Sequence, residues 1–168
     1  MNDAGGSTDP GGSNDPDGFT DPGGSGTHGP GREPIVRELM RPATTTVERH
    51  AHLAAAAYLM RKAGDSAVVV TTDDASRRPV AIITERIISH AVADGRDLNE
   101  ARIDQLIGPA PVTTGPGTTI GEATRLMLAS GFRHLPVVEE DGRVVGIIDI
   151  VDACRAMLDR IPPARRPA

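Results

Sequence analysis

Laid over itself at an offset of 67 residues, the chain matches in order along most of its length. A repeat of this kind constrains the fold more than any single motif does. "VRELMRPA" (Val36–Ala43) falls on "IDQLIGPA" (Ile103–Ala110), so that Val36, Leu39 and Met40 meet Ile103, Leu106 and Ile107. Each set reads as one helical face closed by a proline stop. "LAAAAYLM" (Leu53–Met60) falls on "IGEATRLM" (Ile120–Met127), two short amphipathic helices with small residues that permit close packing. After a length difference of a residue or two, "SAVVV" meets "HLPVV" and "PVAIITERI" meets "VVGIIDIVD".

The order of each unit is therefore a lead-in, a helix, a strand, a turn, a strand and a helix. The two strands of a unit form a hairpin: Asp141-Gly142 is a strong turn signal in the second, and "TTDDASRR" a longer loop in the first. Neither unit carries enough apolar residues to stand alone, so the two must pack on each other.

The first 31 residues lie outside this pattern. They contain "TDPGGS" twice and five aspartates, with no Lys or Arg and Phe19 as the one large apolar residue besides Met1. Such a segment cannot offset its ordering entropy by burial and is expected to be a disordered arm; it has no apolar run that would make a signal peptide. The expected division is an arm at 1–31, repeats at 32–95 and 96–160, and a disordered tail at 161–168. The arm also carries the whole net charge of −5, because the rest of the chain holds 18 basic and 18 acidic residues. A near-neutral domain is poorly equipped to hold nucleic acid by its phosphates. Arginine outnumbers lysine 17 to 1, a usage that points to a high-GC bacterial genome. Cys154 is alone, which excludes a disulfide framework, and it is expected to be a buried thiol of the last helix. No segment is apolar enough to insert in a membrane, so the expected compartment is the cytoplasm.

The motifs "VRELMRP", "AAAAYLM", "AIITERI" and "FRHLPVVEEDGRVVGIIDIVD", in this order and repeated, resemble the CBS (cystathionine-beta-synthase) domain. The chain looks like a stand-alone tandem pair, a Bateman module, over roughly Ile35 to Leu158. The resemblance implies an α/β (α+β) fold of two β-α-β-β-α repeats related by a pseudo-twofold axis. Their sheets would pack face to face with the helices outside. It also implies two clefts that in many relatives bind adenosine nucleotides or S-adenosylmethionine, and frequent pairing of modules.

Each cleft centres on a strand-to-helix corner, where the free N–H groups of a first helical turn favour an anion or polar ligand. The family uses Gly-x-x-(Ser/Thr)-x-x-Asp there, the hydroxyl meeting a phosphate and the Asp holding the ribose. In this chain each copy keeps half. The first, Ala81 to Ile87, retains Thr84, with Arg86 nearby, but has Ile87 at the ribose position. The second, Gly146 to Asp152, retains Asp152 but has Asp149 at the hydroxyl position, directly after Ile148. Arg133, His134 and Pro136 resemble the family's "R-H-L-P-V-V", whose basic residues face the cleft. Thr84 and Asp149 also stand where helix N-caps are expected, and capping alone would account for them. If Asp149 faces a ligand, it disfavours phosphate by like-charge repulsion. The cleft of Asp152 would then suit adenosine or S-adenosylmethionine, leaving phosphate-compatible groups to the cleft of Thr84.

No paired acid and base, phosphate-cradling glycine loop or nucleophile with a base partner is present in the sequence, so no enzymatic chemistry is expected. His50 and His52, two positions apart, do not share a helical face, and no metal site or required cofactor is expected. Two functions remain. One is a regulatory module that binds an adenosine-containing ligand between its repeats and modulates a partner protein. The other is a ligand-independent interaction or scaffolding module with decayed sites. In either case the helical faces, rich in Ala, Leu, Ile and Met, predict a homodimer.

Overall fold

A computed structural model of the chain describes residues 32–43 and 45–160; the arm at 1–31 and the tail at 161–168 lie outside them. The elements run α1 (Val36–Leu39), β1 (Arg41–Pro42), β2 (Thr46–Glu48), α2 (Leu53–Ala63), β3 (Ala67–Thr71), β4 (Pro79–Thr84) and α3 (Glu85–Ala93). A short 3-10 turn (Ile103–Gln105) opens the second half, followed by α4 (Ile120–Ser130), β5 (His134–Val138), β6 (Val144–Asp149) and α5 (Ile150–Leu158).

Strands that are apolar and buried along most of their length, because both faces are covered, and period-3.6 helices sort into two three-stranded sheets, ordered β2-β3-β4 and β1-β6-β5. The hairpins β3–β4 and β5–β6 are antiparallel, with Ala67 opposite Thr84 and His134 opposite Asp149. Gly142 takes the turn of the second hairpin at φ 83°, a conformation that suits glycine. α2 and α4 end on Gly64 and Gly131, a pair at the same offset of 67, both left-handed.

The four layers run helix, sheet, sheet, helix. Ala67, Val69, Val144 and Ile147 meet between the two sheets. One outer core holds Leu53, Met60, Val70 and Ile83, the other Ile120, Met127, Leu135 and Ile148. The lead-ins are exchanged between these cores. Val36 of α1 is buried with α4 and β5–β6, and Ile103 of the 3-10 turn with α2 and β3–β4. Backbone hydrogen bonds fix the exchange symmetrically. Val36 N–H donates to Thr118 O at 2.8 Å and Ile103 N–H to Ala51 O at 3.0 Å, while Ile35 bridges Thr119 and His52 bridges Arg102. The two halves therefore share one structure through reciprocal docking.

Two sequence expectations change. The lead-in of the second half forms a 3-10 turn, not the α-helical face expected of it. Cys154 is exposed, because the core face of α5 runs through Ala153 and Cys154 is turned about 100° away from it.

Candidate functional site

β4 delivers Thr84 to the start of α3 in an extended conformation. The Oγ1 of Thr84 accepts the Ile87 N–H at 3.4 Å, capping the helix. A hydroxyl that accepts there still has its own proton to donate. Ser66 O accepts the Glu85 N–H at 3.1 Å, which ties the corner to the strand beside it. Facing this corner from the other half, Phe132, Arg133 and His134 lead into β5, and the segment from Leu106 to Val112 forms the third wall. The cleft has a volume of about 550 Å³ and is lined by Thr84, Arg86, Ile87, Arg133, His134 and Ser66, among others. That size is within the range of small-molecule sites. Two arginines, a hydroxyl and a helix N-terminus give it groups suited to an anion, with Glu85 in the first turn of α3 as a carboxylate on the same wall. Ile87 makes the adjoining wall apolar and packs on the first core.

Beneath this cleft lies a buried polar chain. His134 Nε2 is 2.8 Å from Asp149 Oδ2, with both side chains more than nine-tenths buried. Ser66 Oγ is 3.0 Å from the same nitrogen. Asp149 Oδ1 accepts the Val151 N–H at 2.6 Å and so caps α5. Burial holds the His134 pKa below its ordinary value, against the opposing pull of Asp149. A carboxylate can only accept, so a hydrogen bond between His134 and Asp149 is made by a proton on Nε2.

Of the residues singled out in the sequence, Thr84, Arg86, Arg133 and His134 meet in this one cleft. Asp149 faces His134 and its own helix, so its oxygens are engaged within the protein. Asp152, on α5, lies 3.9 Å from Arg41 Nε and 3.4 Å from Arg155 Nη1. Pro136 and Ile148 are fully buried in the second half and wall neither cleft. Ser66, Phe132 and the Leu106–Val112 segment were not singled out, although the repeat offers a signal for the last, since it is the counterpart of Leu39–Thr45. His50 is bound into a surface cluster with Asp104 at 2.9 Å and Asp73 at 3.4 Å. Among the described residues no group of three or more His, Cys, Asp or Glu side chains is placed to hold a metal ion.

The comparisons agree with this architecture. The model of the CBS domain matches residues 36–94 and 103–159. An uncharacterised protein of Methanopyrus kandleri is 31% identical over 97 residues, 57% of this chain and 48% of that protein. The chain thus spans about half the length of that relative. Among solved structures, a CBS domain protein from Pyrobaculum aerophilum complexed with AMP is 29% identical. It aligns over 75% of this chain and 97% of its own, with a TM-score of 0.66. Hypoxic Response Protein I, solved with two coordinated zinc ions, is 31% identical over 73% of this chain and 98% of its own, with a TM-score of 0.62.

Proposed function

The chain belongs to the CBS-domain family, and from that premise we propose that it is a regulatory module which senses an adenosine-containing ligand in the cleft of Thr84 and thereby modulates a partner protein. The observation that carries this reading is the 550 Å³ cleft between the halves, where Thr84, Arg86, Arg133 and His134 converge. The AMP complex of the Pyrobaculum protein supports the ligand class. Thr84 and the first turn of α3 meet the phosphate or the equivalent polar end, with Arg86 and Arg133 as its counter-charges. The apolar wall at Ile87 receives the sugar, with no carboxylate at that position to grip its hydroxyls. A missing charge-assisted hydrogen bond costs about 1.5–3 kcal/mol, which makes this a site of modest affinity. The cleft joins elements of both repeats, 32–95 and 96–160, so ligand that prefers one arrangement of the halves shifts the population toward it. The module requires no cofactor, catalyses no reaction, pairs as a homodimer and works in the cytoplasm. None of the described helices is long and apolar enough to cross a membrane.

A thermal-shift series with AMP, ADP, ATP, NAD, adenosine and S-adenosylmethionine tests the reading. A ligand at a hundred times its dissociation constant stabilises the fold by about 2.7 kcal/mol, and Thr84→Val should reduce that gain for a phosphorylated ligand. The engagement of Asp149 and Asp152 within the protein favours a second reading, a ligand-independent scaffold. Silence across the whole series would select it.

A further inference from the structure

The repeat makes an internal control available, because every element of the Thr84 cleft has a counterpart on the other side of the pseudo-twofold axis. The counterpart of Gly108 at the offset of 67 is Arg41, and that of Ala81 in the strand pairing is Gly146. On the Thr84 side, Gly108 and the residues after it form no ladder with β4 and stand as one wall of the open cleft. On the other side β1 is zipped onto β6, Arg41 opposite Ile147 and Pro42 opposite Gly146, and Ala43 N–H donates to Val145 O at 3.1 Å. Glycine permits that approach: a Cβ on Gly146 would stand 2.9 Å from Arg41 O and 2.7 Å from Met40 Sδ.

The zipper carries the Arg41 side chain into the second cleft. Its guanidinium pairs with Asp65, in the lead-in to β3, and lies 3.9 Å from Asp152 on α5, while its Nε is buried without a hydrogen-bond partner. The cavity that remains there, about 490 Å³, is lined by Arg41, Asp65 and the end of α2. The first turn of α5 does not wall it, whereas the first turn of α3 walls its counterpart.

We propose that Arg41 is the resident guanidinium of the second cleft and decides which cleft takes ligand: paired with Asp65 and 3.9 Å from Asp152, it stands between the remaining cavity and the first turn of α5, so that the Thr84 cleft alone offers a ligand its helix N-terminus. The stoichiometry part of this claim rests on the ligand reading above; the guanidinium part stands without it. Removal of the Arg41 charge takes from Asp65 its guanidinium partner and leaves Asp152 to Arg155 alone, so the loss of stability should be recovered by an added cation of the right shape.

The test uses the full chain and two probes, adenosine by titration calorimetry and methylguanidinium by thermal shift. Wild type should take one adenosine per chain and gain nothing from millimolar methylguanidinium. Arg41→Ala should melt roughly 2–6 °C lower, recover with methylguanidinium but not with methylammonium, and take two adenosines per chain. Arg41→Gln, which keeps much of the stem over the apolar surface, is read in the same way if Arg41→Ala does not fold. Two adenosines on wild type, or an arginine variant that still takes one and ignores methylguanidinium, would overturn the proposal. If adenosine binds neither protein, the ligand reading of the Thr84 cleft fails, and recovery by methylguanidinium alone decides for or against Arg41.

Discussion

Asp149 ends β6 and holds the start of α5. Its position before α5 identifies it as a cap, and it caps Val151. The sequence could not show that its second oxygen meets His134, because the two are opposite one another across the β5–β6 ladder and belong together only once the hairpin has closed. The pair has a consequence for stability. Burial depresses the His134 pKa below its ordinary 6.5, with Arg133 and Arg41 adding to the shift while Asp149 and Asp152 oppose it. The unfolded chain therefore takes up this proton at a higher pH than the folded chain. The stability that the neutral ring provides is complete above pH 6.5 and falls as the pH drops below it, by at most about 1.4 kcal/mol per pH unit. His134→Gln keeps a neutral donor for Asp149 and removes the titration. Its unfolding free energy, measured in urea between pH 7.5 and 5, should fall less steeply than that of wild type. Equal slopes would show that the ring does not carry this pH dependence.

At the level of elements, both hairpins and the four main helices are legible from periodicity, turn residues and the repeat. The exchange of lead-ins is not. Val36 and Ile103 mark equivalent apolar faces, but no local pattern records which of two similar cores will bury them. The choice is made by backbone partners more than eighty residues away in sequence for α1, where Val36 N–H meets Thr118 O. The same limit hid Arg41, which reads as a charge after a short helix and gains its partners only when β1 joins the distant sheet. The exchange predicts where damage will appear. Val36 is fully buried among α4, β5 and β6, so Val36→Ala should cost about 1.5–3 kcal/mol. Ile103 is fully buried against α2, β3 and β4, and Ile103→Ala should cost about 2–5 kcal/mol. Native-state hydrogen exchange should show β5 and β6 losing protection first in the Val36 variant, although the mutation lies in the first repeat by sequence. β3 and β4 should lose it first in the Ile103 variant. The opposite assignment would mean that each lead-in stabilises its own repeat.

For the whole molecule, the pseudo-twofold axis makes the two halves alike inside and places similar apolar positions on the outside. Val92 near the end of α3 and Met157 near the end of α5 are counterparts across that axis, and they are 57% and 42% exposed. Leu128 on α4 and Leu158 on α5 add larger exposed side chains, and α4 packs against α5. Apolar groups repeated about an axis suit a self-complementary contact, because a second copy turned by a half rotation presents the same groups in return. The near-balance of charge outside residues 1–31 leaves no strong repulsion against that approach. Light scattering should accordingly give about twice the 17.6 kDa of the chain at concentrations on the order of tens of micromolar. Val92→Glu combined with Met157→Glu places four like charges in the contact of a dimer and should yield a monomer with unchanged circular dichroism. A wild-type monomer at those concentrations would remove the claim. A dimer that survives both substitutions would place the contact on another face of the module.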